Sequence, residues 1–419
     1  MKAGPLFFIA LRYLLGRAKE GGRYLRGAAG GIALGLIPII VTLMVADGMI
    51  RGITDRYLEL GTGHIQIFDF LDQGIENIPV PPDTPGLRGV WRERQGLGVL
   101  VGKKGRVGAT IRATDSSFWE DPGSRRFLKT LSGSASLEGP NDVLLGEALA
   151  ENLGAEVGDT LRIMTLRIAD DGRSIPRLFP FTIRGIVSSG YRELDSLWCI
   201  MNYESGLRIL SADLSSSYLM LKIDDPYKGA DAMAYGLYNK LGMGYGIYTW
   251  KELQLSQYSS YESTRQLLLF IMALIVIVAA VNVSSATSML AIERQRDIAV
   301  LKAFGTSPGG IRRIFIWCAF LTGLTGAVIG IALGLGIGSC INPIIHGLEK
   351  ILGFFSSLFR GGEVKILDPG YYLENIPLVM DWSSIFNIGI GTILASMLAS
   401  WIPARRAGAI PPIELLRKY

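Results

Sequence analysis

Four long runs of apolar residues punctuate a chain of 419 residues. About 20 helical residues, at 1.5 Å each, cross a bilayer core of ~30 Å, so every run is long enough to span a membrane. None of the four contains a charged residue, and the third is long enough to tilt or to break near Pro343. The pattern predicts four transmembrane helices. The runs are Gly27–Ala46, Leu267–Ile292, Ile314–Ile345 and Trp382–Ala404.

Basic residues cluster beside these runs, and their distribution predicts the orientation of the chain. Six precede the first run, five lie between the second and third, four follow the last, and three lie between the third and fourth. Short cytoplasmic segments are enriched in Lys and Arg, so both termini and the middle loop are predicted to be cytoplasmic. Membrane topology then explains the net charge of +5 without nucleic-acid binding.

The block Arg51–Gln266 is predicted to lie outside the cytoplasm, and it is long enough for a domain with its own core. Short β-rich runs separated by Gly, Pro and Asp predict strands, and Gly146–Leu153 and Gly229–Leu241 favour helices. We therefore predict a mixed α/β domain with two lobes. The alternation of apolar and basic residues over Leu6–Arg26 predicts an interfacial helix before the first span, and Leu348–Phe359 predicts another outside. The predicted strands include His64–Phe68, Gly98–Val101, Thr160–Met164, Phe181–Val187 and Tyr218–Ile223.

Residue types exclude several kinds of catalytic site. Three cysteines and two histidines, widely spaced, do not suit a zinc site, a disulfide framework or a His-dependent triad. Gly96–Lys104 (GLGVLVGKK) resembles a phosphate loop, but its glycine spacing is wrong and it is predicted on the side away from ATP. We expect no catalytic residue, metal or cofactor on this chain, and we interpret the first run as a signal anchor.

Glycines recur every four residues in the third span, at Gly326, Gly330, Gly334 and Gly338. Such a face lets another helix approach closely, so we predict helix packing there, within or between chains. The first span repeats the pattern at Gly27, Gly31 and Gly35. No charge lies at the centre of a span, which disfavours an ion-coupled carrier. The polar residues of the second span are predicted to hydrogen-bond between helices: Asn282, Ser284, Ser285, Thr287 and Ser288.

The segment after the second span, residues 291–315, favours a short helix that ends at Gly305. Three apolar positions, Ile298, Leu301 and Phe304, are spaced to dock in a groove of a partner. A solvated charged loop fits the same pattern equally well. Ser307 and Pro308 are typical of the cap and first turn of the next helix.

The order of these elements resembles the lipoprotein-releasing permeases (LolC/LolE type) of the FtsX/MacB permease superfamily of ABC transporters. The resemblance covers nearly the whole chain. Its most specific stretches are FFIALRYLLGRAKEG (7–21), GATIRATDSSFWE (108–120), LLGEALAENLGAEVGDTLRIM (144–164), FTIRGIVSSGYRELDS (181–196), ERQRDIAVLKAFG (293–305), YYLENIPLVMDW (371–382) and PARRAGAIPPIELLRKY (403–419).

The resemblance implies roles for particular residues. A coupling helix would sit in a separate cytoplasmic ABC ATPase, which would bind ATP and magnesium; its residues are Glu293, Arg294, Arg296, Asp297, Ile298, Leu301, Lys302, Phe304 and Gly305. A lateral cavity for acyl chains would be lined by Leu36, Ile40, Leu43, Met44, Leu268, Met272, Ile275 and Ala279. An exposed loop at 165–180 would meet a periplasmic lipoprotein chaperone through Asp171, Gly172, Arg173, Pro176 and Arg177.

The resemblance implies the permease subunit of a complex that extracts acylated lipoproteins from the inner membrane, paired with the same or a related permease chain. A MacB-like drug, peptide or siderophore exporter and an FtsX-like signalling permease that activates cell-wall hydrolases remain alternatives. A membrane-anchored extracytoplasmic enzyme is disfavoured because no G-x-S-x-G elbow is present. The predicted segments are a cytoplasmic interfacial helix (1–26), four spans (27–50, 267–292, 314–345, 382–404), an extracytoplasmic domain (51–266), a coupling loop (293–313), an extracytoplasmic loop (346–381) and a cytoplasmic tail (405–419).

Overall fold

The computed structural model describes residues 3–15, 22–80, 84–169, 171–358 and 376–409. The helices are α1 (Ala3–Leu15), α2 (Gly22–Arg56), α3 (Ser117–Glu120), α4 (Pro122–Phe127), α5 (Glu147–Leu153), α6 (Arg192–Asp195), α7 (Tyr203–Ile209), α8 (Ala230–Leu241), α9 (Trp250–Leu253), α10 (Leu255–Glu293), α11 (Gln295–Ala303), α12 (Pro308–Ser339), α13 (Ile341–Leu358), α14 (Trp382–Ala399) and α15 (Trp401–Ala409). The strands are β1 (Ile65–Asp69), β2 (Leu87–Val101), β3 (Arg106–Thr114), β4 (Lys129–Gly133), β5 (Asp142–Gly146), β6 (Thr160–Ile168), β7 (Ser174–Ser188), β8 (Trp198–Asn202), β9 (Ser215–Ile223) and β10 (Tyr245–Thr249). A π-helical turn, Tyr57–Thr62, follows α2 directly.

The chain divides into two compact units, and the first is helical. It comprises Met1–Gly48, Tyr261–Gly362 and Ile376–Tyr419. Four helical stretches in the described residues are long and apolar enough to cross a membrane, and each overlaps one predicted span. They are Gly22–Thr62, Tyr258–Glu293, Pro308–Ser339 and Trp382–Ala409.

The third predicted span is interrupted earlier than the sequence suggested. The helix α12 ends at Ser339, and Cys340 leaves the helical conformation with φ −99° and ψ 13°. Pro343 then falls in the first turn of α13, where a missing N–H costs no hydrogen bond. The predicted outer helix Leu348–Phe359 is the later part of α13. Residues 359–375 of the predicted extracytoplasmic loop and 410–419 of the predicted tail lie outside the described residues.

The amphipathic helix predicted over residues 6–26 falls partly outside the described residues. The helix α1 ends at Leu15, and Gly22 already belongs to α2; residues 16–21 lie outside the described residues. One face of α1 is buried in a cluster with Ile311, Phe315 and Cys318 of α12. The i, i+4 spacing of Leu6, Ala10 and Leu14 produces that face.

The second unit contains Met49–Ser260, and its main feature is one sheet of ten strands. Six strands close into a ring, because β6 pairs with both β7 and β2 while β2–β3–β8–β5–β7 run side by side. The strands β9, β1 and β10 extend from the other part of β2 as an open sheet.

The mixed α/β domain contains two apolar cores, and we call the part of the domain around each core a lobe. The ring encloses one core, which includes Ile111, Leu145 and Phe181. The open sheet and α8 enclose the other, which includes Ile67, Leu221 and Trp250. The long strand β2 belongs to both lobes: Leu87–Gly96 pairs with β9 and Val99–Val101 with β6.

Candidate functional site

The predicted coupling helix is α11, and its apolar residues face two directions. Ile298 is 1% exposed in a cluster with α1 and α12, so the prediction that it docks in a partner is wrong for this residue. Leu301 packs partly against the same cluster. Phe304, by contrast, is 85% exposed, and Val300, which the sequence reasoning missed, is 50% exposed. Their i, i+4 spacing was the available signal.

Polar contacts hold α11 against other parts of the first unit. The Tyr13 hydroxyl donates to Asp297 at 3.3 Å, and Arg294 pairs with the same carboxylate at 3.2 Å. Lys302 donates to the carbonyl of Gly408 at 2.8 Å. Gly305 ends the segment with φ +85°, a conformation that glycine adopts without strain. The helix therefore presents Val300 and Phe304 on a fixed support.

The residues predicted to line an acyl cavity are packed together in this structure. Six of the eight lie in one apolar cluster between α2 and α10, which we call the α2/α10 seam: Leu36, Leu43, Leu268, Met272, Ile275 and Ala279. The other two, Ile40 and Met44, face α12 at Gly334 and Gly338; Leu36, although a member of the seam cluster, also lies against α12, at Gly330. Assigning Ile40 and Met44 to a cavity is therefore wrong for this conformation, because helical spacing does not reveal which face meets which neighbour.

The glycine face of α12 packs on α2 of the same chain. A Cβ atom on Gly326 would lie 2.8 Å from the Cβ of Ile32, and one on Gly334 would lie 2.8 Å from that of Ile40. On α2, Gly27 and Gly31 have no heavy atom of the described chain within 4 Å of such a Cβ, while Gly35 has Ile275 at 3.7 Å.

Of the five polar residues predicted to hydrogen-bond between helices, Thr287 does so within the described part of the chain. Thr287 lies 3.1 Å from Ser400, the residue between α14 and α15. Ser285 and Ser288 instead donate to carbonyls of their own helix. The prediction of hydrogen bonds between helices is thus confirmed for Thr287.

The predicted chaperone loop is wrong as a loop, because it is the end of a β-hairpin. The strands β6 and β7 pair without a break from Thr160 with Thr182 to Ile168 with Ser174. Asp171, Gly172 and Arg173 form the turn, whereas Pro176 and Arg177 lie in β7. Proline is tolerated there because this end of β7 has no second neighbouring strand among the described pairings.

The hairpin end is amphipathic. Alternation along a strand puts Leu166 and its partner Pro176 on one face together with Leu178. Arg167 and Arg177 lie on the opposite face. Leu166 is 47% exposed and Leu178 58%, so the first face presents apolar surface.

A buried ionic cluster, not predicted from the sequence, surrounds the π-helical turn after α2. Lys222 is fully buried, and its Nζ lies 2.7 Å from Glu59 and 2.6 Å from Asp121. His64, also fully buried, lies 3.4 Å from Glu59 and accepts the amide of Ile223 through Nδ1. Burial is the largest single effect on Asp121 and disfavours its ionisation, but the hydrogen bonds from Lys222 and the Ser124 amide, together with the charge of Lys222, outweigh it and lower the pKa of that carboxyl.

A second buried cation holds the same turn. Arg112 forms two hydrogen bonds to Glu93, at 2.7 and 2.9 Å, and donates to the carbonyls of Leu60 and Gly61. A cation at the carboxyl end of a helix is favourable because the carbonyls there carry partial negative charge. Alternation in β3 does not decide whether Arg112 faces solvent or the core, so this role could not be predicted from the sequence.

Among the described residues, no group of three His, Cys, Asp or Glu side chains is arranged to hold a metal ion. The Cys199 thiol is fully buried, and burial raises its pKa to about 12, so it is unreactive at neutral pH.

Two protein families match successive parts of the chain. The MacB-like periplasmic core domain matches residues 27–234, and the FtsX-like permease C-terminal family matches residues 269–412. The periplasmic region of MacB from Actinobacillus actinomycetemcomitans, a solved structure, covers 48% of this chain and 95% of its own at 18% identity, with a TM-score of 0.32.

Several relatives that match over nearly the whole length are lipoprotein-releasing system transmembrane proteins. LolC of Xylella fastidiosa (strain Temecula1) is 27% identical over 98% of both chains. LolC of Neisseria meningitidis serogroup B is 26% identical over 98% of both, and LolE of Haemophilus influenzae is 23% identical over 99% of both. The chain carries the two domains of the FtsX/MacB permeases, and its similarity to LolC and LolE extends over nearly its whole length.

Proposed function

We propose that this chain is the permease subunit of an ATP-driven complex that extracts lipoproteins from the outer leaflet of the inner membrane and passes them to a periplasmic carrier. The observation that carries the proposal is similarity to LolC and LolE over nearly the whole length of both chains. The distribution of Lys and Arg supports cytoplasmic termini and a periplasmic domain.

Energy would enter through α11. Val300 and Phe304 are apolar, exposed and supported by the contacts of Asp297 and Lys302, which suits a groove on a separate ATPase. That subunit would bind ATP and magnesium. A second permease chain, the same or a related one, would complete the complex.

The cargo would enter between α2 and α10. Extraction from a bilayer costs ~0.8 kcal/mol of binding free energy for each acyl CH₂ that leaves the membrane. The acyl chains therefore need an apolar receptor and an external energy source. Since the seam residues are packed against one another, opening the seam would expose an apolar surface of the required kind. Leu43 and Met272 would be among the first residues to meet an acyl chain.

The hairpin end would receive the carrier. Its apolar face, Leu166, Pro176 and Leu178, would bind an apolar surface, while Arg167 and Arg177 on the opposite face would meet acidic groups. A protein that shields acyl chains from water must expose apolar surface when it is empty, which fits this face.

The proposal is tested by affinity purification of the chain from its native membranes, with mass spectrometry of the retained proteins. We expect a separate ATPase together with acylated lipoproteins, and a second permease if the complex is heterodimeric. A matched hairpin variant, Leu166→Ser with Leu178→Ser, should lose a periplasmic carrier but keep the ATPase.

Two outcomes would overturn the proposal. An ATPase retained with a cell-wall hydrolase and no lipoprotein would favour the FtsX-like signalling function. An ATPase with neither, and accumulation of a drug or peptide inside cells that lack the chain, would favour a MacB-like exporter.

A further inference from the structure

Three charged residues that bound the apolar runs of the sequence lie together in the first unit. Arg265 of α10 has its Nε 3.4 Å from Oδ1 of Asp47 on α2. Its terminal nitrogen lies 3.3 Å from Oδ2 of Asp381, the N-cap residue of α14. One guanidinium therefore connects three helices at their predicted extracytoplasmic ends.

The position of this triad relates it to the α2/α10 seam. Asp47 follows Leu43 by one helical turn on α2, and Arg265 precedes Leu268 by about one turn on α10. Leu43 and Leu268 belong to the seam cluster. The Arg265–Asp47 pair therefore closes the outer end of the same seam.

The segment that carries Asp381 is fixed from two sides. Asn342 of α13 donates to the carbonyl of Ile376 at 3.0 Å and accepts its amide at 3.1 Å. Gly48 of α2 lies against Pro377 so closely that a Cβ there would overlap the Pro377 carbonyl oxygen. The Asp381 carboxylate is thus held in place, and Arg265 on α10 is the group that must move to separate the pairs.

These ion pairs are loose. Both distances exceed the 2.7–2.9 Å of a strong charge-assisted hydrogen bond, whereas the buried Lys222–Asp121 pair is as close as 2.6 Å. The Arg265 side chain is 37% exposed. Oδ2 of Asp47 is buried and has no hydrogen-bond partner among the described residues. Pairs of this kind contribute little to stability and suit repeated breaking and forming.

We propose that Arg265, Asp47 and Asp381 form an ionic latch that holds the outer end of the α2/α10 seam closed, with Arg265 as the positioning residue. The seam opens when Arg265 releases Asp47. The role of that opening, admission of an acyl chain, rests on the proposed function; the control of the seam by the latch does not.

The test measures the distance between α2 and α10 in the full chain, in lipid nanodiscs with its complex partners. Spin labels are attached through Thr42→Cys and Leu269→Cys, both at exposed positions, in a Cys340→Ser background because Cys199 and Cys318 are buried. Pulsed electron resonance then gives the distribution of label separations. In Arg265→Gln we expect the fraction of molecules with the longer label separation to rise at least two-fold.

Three further variants make the result specific. Asp47→Asn should give the same increase, and it decides the matter if Arg265→Gln does not fold. Arg265→Lys keeps the charge and should restore most of the parent distribution, a rescue that a loss of side-chain packing would not show. Glu262→Gln removes an exposed charge one turn away on α10 and should leave the distribution unchanged.

An unchanged distribution in both Arg265→Gln and Asp47→Asn would overturn the latch. An equal change in Glu262→Gln would also overturn it, because the effect would then be one of general charge. The measurement needs no cargo. If lipoproteins are absent from the purified complex while the latch variants still open the seam, the proposed function fails and the latch stands.

Discussion

Gly330 of α12 lies directly against Leu36 of α2: a Cβ atom on the glycine would be 2.8 Å from the Cβ of the leucine. The carbonyl oxygen of Ala33 would lie at 3.0 Å from the same added atom. The two helices can approach this closely only because α12 lacks a side chain at the contact.

Gly330→Val is therefore expected to push α2 away and to lower the free energy of unfolding by about 1–3 kcal/mol. Thermal unfolding of the purified chain in one detergent would measure the loss. Gly336→Ala on the same helix is the matched control, since an added Cβ there meets no heavy atom within 4 Å. Equal shifts in both variants would contradict the packing role.

Lys222 stabilises the second unit by pairing with two carboxylates that would otherwise be buried alone. Removing one partner of such a buried pair costs about 3–5 kcal/mol, so Lys222→Met should lower the unfolding temperature strongly. The exposed Lys251–Asp231 pair, at 2.9 Å, provides the control. Lys251→Ala should change the free energy of unfolding by less than about 1 kcal/mol. A Lys222→Met chain as stable as the parent would show that Glu59 and Asp121 are hydrated in solution.

The sequence was sufficient for features set by local pattern. Charge-free apolar runs identified the four helical stretches that are long and apolar enough to cross a membrane, and the spacing of Gly326 and Gly334 identified a packing face. It was insufficient wherever a partner from a distant part of the chain decides the outcome. Ile298 has the spacing of a docking residue but is buried by α1 and α12, and nothing local distinguishes it from Phe304.

Ion pairs show the same limit. Asp47, Arg265 and Asp381 are visible in the sequence as the ends of apolar runs, but their proximity depends on how the helices assemble. The cluster around Lys222 joins residues from the π-helical turn, from the start of α4 and from β9. Charged residues in a domain are usually exposed, so the sequence favoured the opposite environment for Lys222.

Acid should weaken the second unit through Asp121. The pKa of this carboxyl is lowered from 3.8 in the folded chain, because the hydrogen bonds from Lys222 and the Ser124 amide, together with the charge of Lys222, outweigh the opposing effect of burial. Its stabilising contribution is complete above the unfolded-state value and is lost as the pH falls through the lower, folded-state value. The stability of the parent chain should therefore fall below about pH 4 more steeply than that of Asp121→Asn. Asparagine keeps an acceptor for the Ser124 amide, the cap of α4, so the comparison isolates the charge.

That comparison requires unfolding curves at several pH values for both chains under the same conditions. The two curves should converge at the lowest pH, where Asp121 is protonated. Parallel curves across the acidic range would contradict the ionic role of this residue.

Phe304 and Ile298 separate binding to an ATPase from stability of the permease. Phe304 is 85% exposed, so Phe304→Ala should leave the unfolding temperature of the isolated chain nearly unchanged. Loss of an exposed aromatic anchor should nevertheless reduce the amount of ATPase retained by the purified chain at least several-fold. Ile298→Ala, by contrast, should destabilise the isolated chain. The substitution leaves a cavity beside α1 and α12 and should lower the free energy of unfolding by about 2–5 kcal/mol.

The two measurements must be made on the same preparations, because an unfolded permease also fails to bind. Val300→Ala extends the test to the neighbouring exposed position and should weaken retention less, since it removes less apolar surface. If Phe304→Ala retains the ATPase as well as the parent does, then this face of α11 is not the contact. The energy of ATP hydrolysis must then reach the spans by another segment, and the coupling assignment for residues 293–305 fails with it.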